Sequence, residues 1–130
     1  MAYKILVVDD EKDVVESVQK GLLRQGYEVV CAYDGQEAIE KVSSDNPDII
    51  LLDLTLPKKD GFAVLQEVRQ NHVDKWRPVI IISGKTELDS LRKGYDLEAD
   101  HYLTKPCDMK NIIRGIETMI SLIPLRREGK

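Results

Sequence analysis

The 130 residues carry 19 lysines and arginines against 23 aspartates and glutamates, a formal charge of −4, with 42% hydrophobic and 32% charged residues. That is the balance of one globular domain large enough to bury a core without a disulfide or metal staple. It excludes a disordered tail, a nucleic-acid groove built on clustered Lys and Arg, and a membrane span, since the longest apolar runs (5–8, 49–52 and 79–82) have four residues where about 20 are needed.

Short β-rich apolar runs alternate along the chain with stretches of helical spacing. Residues 5–8 predict a buried strand. Val14, Val15, Val18, Leu22 and Leu23 then share one helix face, which Gly26 can end in a left-handed cap. Residues 28–32 predict a second strand. Asp34 followed by Glu37 is a capping-box pattern opening a helix with Ala38, Ile39 and Val42 inward, stopped at Asn46-Pro47. The segment 48–54 is apolar on both sides, as a central parallel strand covered by helices must be. A loop with Pro57 and Gly61 leads to a third helix on Phe62, Val64, Leu65 and Val68. A fourth strand at 78–83 precedes a weaker helix from about Glu87 to Leu97, with Leu88 and Leu91 inward, and a short strand at 101–103. The clearest amphipathic helix runs from Met109 through Ile112, Ile116, Met119 and Ile123 until Pro124. Trp76 and Tyr95 are assigned to packing.

Five βα units on short loops imply an α/β fold, a doubly wound parallel sheet with right-handed crossovers and helices on both faces. Such sheets bind ligands beyond the carboxyl ends of their strands. That singles out Asp9 and Asp10 after the first strand, Asp53 at the end of the third, Ser83 after the fourth and Lys105 after the fifth. Converging carboxylates repel, and a hard cation such as Mg2+, which takes oxygen ligands and keeps several waters, relieves the repulsion. A cation, an ammonium and a hydroxyl are what a transferred phosphoryl group needs around its oxygens. Asp53, ending the most buried strand, is placed to attack phosphorus and form an acyl phosphate. His72 and His101 lack partners at metal-ligand spacing. Cys31 and Cys107 lack the close pairing of zinc or redox motifs and are expected to be reduced thiols. With neither a secretory nor a transit pattern after Met1, a cytoplasmic location is expected.

Asp9-Asp10, Asp53-Leu54-x-Leu56-Pro57-x-x-Asp60-Gly61, Ser83-Gly84 and Tyr102-x-x-Lys105-Pro106, in that order, resemble the receiver domain of two-component response regulators of the chemotaxis-regulator-like kind, over residues 4–123. The resemblance implies a flavodoxin-like (βα)5 sheet of five strands in the order 2-1-3-4-5, and a phosphorylation switch. By it, Asp53 is the phosphoacceptor, Asp10 a direct Mg2+ ligand, Asp9 a ligand through water, and Thr55 a ligand through its backbone carbonyl. Lys105 pairs with Asp53 at rest and with a phosphoryl oxygen afterwards. Ser83 replaces the more common Thr and swings toward the phosphoryl group, and Tyr102 turns inward behind it. The movement biases the surface of helix four, strand five and helix five, where partners read the state. The implied donor is a histidine kinase or phosphotransfer protein. The downstream effector or output domain stays open, and no direct contact with nucleic acid or membrane is expected. Residues 1–124 form the receiver domain and 125–130 a basic tail or the start of a linker, in a stand-alone receiver or one cut from a longer chain.

Four departures from the family pattern carry expectations. Glu98 stands where Gly is common, at the turn ending helix four, and a positive φ there costs on the order of 1 kcal/mol. Cys107 replaces the usual Phe and leaves a smaller side chain beneath helix five. Thr55 and Lys85 occupy the positions that tune hydrolysis of the acyl phosphate. Asn111 and Gly115 stand where relatives with a winged-helix DNA-binding domain carry the acid and arginine of a dimer network, so a monomer or weak dimer is expected. Three other readings compete. A phosphatase of the haloacid-dehalogenase kind needs a second acid two residues after the nucleophile, where this chain has Thr55. A pseudo-receiver scaffold would not need the intact acids, hydroxyl and lysine. Asp10 could serve only as the N-cap of helix one. The expected activity is that of a switch, not an enzyme, beyond catalysing its own phosphorylation and dephosphorylation.

Overall fold

The computed structural model describes residues 2–71, 74, 76–84 and 88–128, and at 88–91 and 127–128 the backbone only. Strands β1 (Lys4–Val8), β2 (Glu28–Ala32), β3 (Ile49–Leu52), β4 (Val79–Ser83) and β5 (His101–Thr104) form one parallel sheet in the order 2-1-3-4-5. Helices α1 (Lys12–Arg24), α2 (Gly35–Asp45), α3 (Gly61–Gln70), α4 (Leu88–Asp96) and α5 (Met109–Ile120) connect and follow the strands, and a short α6 (Ile123–Glu128) comes last. Successive strand residues point to opposite faces, and the core divides accordingly. Ile5, Val7, Ile49, Leu51 and Ile80 pack with Val15, Val18 and Leu22 of α1 and Ile112, Ile116 and Met119 of α5. Leu6, Val8, Ile50, Leu52 and Ile81 pack with Ala38 and Val42 of α2 and Val64, Leu65 and Val68 of α3. This is the doubly wound, flavodoxin-like sheet the sequence predicts.

The punctuation residues act as their chemistry dictates. Gly26 takes φ +90, and the Gly26 and Tyr27 N–H groups close the end of α1 on the Leu23 and Leu22 carbonyls. The Asp34 carboxylate accepts the Glu37 N–H at 2.7 Å, while Glu37 reaches back to the Tyr33 N–H, one residue before the cap. Asn46 ends α2 in the left-handed region at φ 53. Glu98 adopts φ 68, so the turn after α4 keeps the backbone that Gly would favour.

Several elements differ from the sequence reading. Leu23 and Tyr95 are each 51% exposed, because they lie at the margins of their helix faces, whereas Trp76 is buried with the Arg77 guanidinium 4.6 Å from its ring centre. The β3 ladder is shorter than 48–54, with Asp48 and Asp53 as its hydrogen-bonded flanks. The last long helix stops at Ile120, and Pro124 falls in the first turn of α6, where a missing N–H is tolerated. Ile123 is buried in the α1–α5 core, so the boundary expected after residue 124 lies inside a helix whose first residue is core. The expected inward faces of Leu88 and Leu91, the helix start at 87 and the position of His72 lie outside the described side chains and residues. No helix among the described residues is long and apolar enough to cross a membrane.

Candidate functional site

Asp9, Asp53 and Lys105 each directly follow their strand and Ser83 ends its own, and all four are still held by the ladder. The Asp9 N–H donates to the Ala32 carbonyl at 3.2 Å, Asp53 N–H to Val8 at 3.0 Å and Lys105 N–H to the Ser83 carbonyl at 2.8 Å. Parallel register therefore delivers acids, hydroxyl and ammonium to one edge, because β1, β3, β4 and β5 end side by side. Asp9 is 4% exposed, Asp53 5% and Ser83 1%, whereas Asp10 is exposed. A carboxylate oxygen from each of Asp9, Asp10 and Asp53 lies within 4.8 Å of the other two.

The Lys105 ammonium sits 2.7 Å from Asp9 Oδ2 and 3.2 Å from Asp53 Oδ2, with Glu11 Oε1 at 3.7 Å. Asp53 Oδ1 accepts the Thr55 N–H at 3.3 Å, which ties the turn after β3 to the carboxylate. Burial pushes the Asp53 pKa up and the Asp9 charge adds to it, against the pull of Lys105 and the Thr55 N–H. Burial also works against the Lys105 charge, but the hydrogen bond to Asp9 and the charges of Asp53 and Asp9 outweigh it and raise its pKa. Among the described residues, three acids thus contact one ammonium, and Asp10 lies beside them. Three oxygen donors of this kind fit a hard divalent cation such as Mg2+, with coordination left over for water and a phosphoryl oxygen.

The loop after Asp53 is built against its neighbours. The Gly61 N–H bonds the Leu54 carbonyl, and a Cβ at Gly61 would collide with the Asp53 carbonyl and Leu54 Cα. A Cβ at Gly35 would meet the Lys59 backbone, so the start of α2 lies directly on the same loop. Asp60 caps α3 by accepting the Ala63 N–H at 2.9 Å. The capping reading of Asp10 is set aside: the N-cap of α1 is Glu11, and Asp9 Oδ1 accepts its N–H at 2.9 Å. Sequence reasoning missed Glu11 as a partner of Lys105 and Gly35 as a floor for the loop. The signals were the third consecutive acid after β1 and the Gly directly behind the Asp34 cap.

The family model of the response regulator receiver domain matches residues 5–117. The chain belongs to that family. Its fold is similar to chemotaxis protein CheY4 of Vibrio cholerae, at 28% identity over 92% of this chain and 99% of that one, TM-score 0.86. The phosphorylated cyanobacterial phytochrome response regulator RcpA is 35% identical over 90% of this chain and 92% of that one, TM-score 0.81. NtrX of Brucella abortus is 31% identical and covers 98% of this chain, which spans only 29% of NtrX, TM-score 0.88.

Within this receiver domain the remaining expectations fall as follows. Tyr102 is 8% exposed and packed in the core shared by α2 and α3, with its ring beside Gly94 of α4, while Lys105 still rests on Asp9 and Asp53. The inward position of the ring therefore coexists with the Lys105 contacts to Asp9 and Asp53. Cys107 lines a groove of about 540 Å3 with Val14, Ile82, Pro106 and Ile112 beside Lys105. Asn111 and Gly115 line a smaller hollow of about 290 Å3 between β5 and α5 with His101 and Leu103. Lys85 lies outside the described residues.

Proposed function

We propose that the protein is a phosphorylation switch in which Asp53 receives a phosphoryl group from the phosphohistidine of a histidine kinase or phosphotransfer protein. The observation that carries this reading is the meeting of Asp9, Asp10, Asp53 and Lys105 at one strand edge, with the buried Asp53 carboxylate flanked by an ammonium and a backbone N–H. An Asp53 oxygen attacks phosphorus, the bond from phosphorus to the donor nitrogen or oxygen breaks, and its electron pair leaves with the donor. Lys105 moves from the carboxylates to a phosphoryl oxygen, and Ser83, in the adjoining strand, donates its hydroxyl to another. Asp10, Asp53 and the Thr55 carbonyl would hold Mg2+ directly and Asp9 through water. When bound, the ion neutralises the charge that builds on the transferring oxygens.

Ser83 and Tyr102 couple the event to the surface of α4, β5 and α5, the face offered to an effector or output domain. Thr55 and Lys85 set the lifetime of the acyl phosphate. We assign the protein to the cytoplasm, as a monomer or weak dimer with no direct nucleic-acid contact, and as a signalling module with no turnover beyond its own phosphorylation and dephosphorylation.

Acetyl phosphate with Mg2+ tests this directly. A stoichiometric mass gain of roughly 80 Da that maps to Asp53 and is absent from Asp53→Asn is the expected result. Continuous phosphate release at a catalytic rate would instead indicate a phosphatase, and no adduct would indicate a scaffold.

A further inference from the structure

At the pole of the sheet opposite the acidic pocket, one carboxylate joins three elements. Asp100, in the turn before β5, accepts the Val79 N–H and Arg69 Nη2 on Oδ2, at 2.8 and 2.7 Å, and Arg126 Nη2 of α6 on Oδ1. Arg69, at the end of α3, also donates to the Glu98 and Arg77 carbonyls at 2.8 and 2.6 Å. Asp100 and Arg69 are each 8% exposed at the side chain, and Arg126 is 31% exposed. Arg126 is the outer and more weakly held member of the group.

Two rigid helices connect this carboxylate with the acidic pocket. α3, ten residues and roughly 15 Å long, starts at Gly61 in backbone contact with Asp53 and ends on Arg69. α5, twelve residues and roughly 18 Å long, starts four residues after Lys105, and a two-residue turn joins it to α6. α3 thus runs from the loop behind Asp53 to Arg69 on Asp100, and α5 runs from just beyond Lys105 to the turn that carries α6. We propose that α6 is a latch reporting the state of the pocket: closed by Arg126 on Asp100 while Lys105 rests on Asp9 and Asp53, and released when Lys105 moves off them.

N–H···O bonds span about 2.7–3.2 Å, so a shift of α5 against α3 of about one ångström strains the outermost contact of the group first. Release frees Arg126 and uncovers Ile123, which is 2% exposed in the latched state. The consequence is a phosphorylation-dependent segment at 121–128, distinct from the α4–β5–α5 face.

The inference rests on the phosphoacceptor reading, and the experiment separates the two. Hydrogen exchange of the whole chain is followed by mass spectrometry with Mg2+ alone and with Mg2+ plus acetyl phosphate, intact mass being read on the same samples. With the adduct present, amides of 123–128, among them the Arg126 N–H bonded to the Leu122 carbonyl, exchange about ten-fold faster, a coupling of ordinary allosteric size. Arg126→Gln exchanges fast in both conditions and still forms the adduct. A full adduct with unchanged exchange at 123–128 overturns the latch and leaves the function standing. No adduct overturns the phosphoacceptor reading, and the latch with it.

Discussion

At the amino ends of β3 and β4, Arg77 is 1% exposed, yet it is answered by Asp74 at 3.1 Å, by Asn46 Oδ1, by the Pro47 carbonyl and by the Trp76 ring. At the carboxyl ends, Asp9 and Asp53 are nearly as deep, with Asp10 beside them and Glu11 at the rim, and among the described residues Asp9, Asp53 and Glu11 share one cation, Lys105. Burial is similar at the two poles, but the charge balance is not. One pole satisfies its charge from within the chain and fastens the α2–β3 turn to the strand that follows α3. The other leaves anions to be answered by something that binds, and this unspent charge marks it as the working end.

The sharpest way to test that contrast is to remove a charge from each pole. Arg77→Met should cost about 3–5 kcal/mol, the usual loss when one partner of a buried pair is deleted, because Asp74 and the Pro47 carbonyl lose their donor together. Urea denaturation of the variant, with an unchanged slope against denaturant, measures it. A loss below 1 kcal/mol would mean that the amino pole is not a structural clamp.

The two poles were also unequally legible. Asp9, Asp10, Asp53, Ser83 and Lys105 could be read because strand ends are visible as the limits of apolar runs, and parallel register forces those ends together. Arg69, Arg77, Asp100 and Arg126 meet partners 26 to 31 residues away, through long flexible arginine side chains that match no spacing rule, so nothing local announces their meeting. The last helix was misjudged for a related reason: Pro124 reads as a stop, but the same ring is tolerated in the first turn of a new helix, and only the burial of Ile123 and the Arg126 contact show that the chain folds back. Helix margins were the other blind spot, since Leu23 and Tyr95 satisfy a periodicity of about 100° per residue without facing anything.

At the acidic pole the same operation should have the opposite sign. With metal chelated at pH 7, Asp53→Asn removes one of the converging anions, leaves Lys105 its Asp9 partner and is expected to stabilise the fold by on the order of 1 kcal/mol. The pH dependence follows from the raised pKa of Asp53. Below the ordinary carboxylate value of 3.8, residue 53 is protonated in the folded and unfolded chain alike, and its charge contributes no penalty. As pH climbs through the raised folded value, the unfolded state releases its proton first, so the wild type loses stability that the Asn variant keeps. The difference between the two urea midpoints should therefore be present at neutral pH and vanish in acid. Equal midpoints at pH 7 would show that Lys105 already balances the pocket.

The smallest effect lies at the amino pole, in the turn that carries Asp100. Glu98 at φ 68 adopts a conformation that costs an L-residue roughly 1–2 kcal/mol, and Gly would remove this strain while surrendering roughly 0.5–1 kcal/mol of chain entropy. Glu98→Gly should consequently stabilise the protein by about 0.5–1 kcal/mol. Its carbonyl, the acceptor of Arg69 Nε, is backbone and survives the change. Because Arg69, Asp100 and Arg126 keep their contacts, the exchange rate of 123–128 should stay as in the wild type although the urea midpoint rises. If those amides quicken instead, the left-handed turn is itself part of what holds α6 down, and the strain at residue 98 is coupled to the pole it was expected only to support.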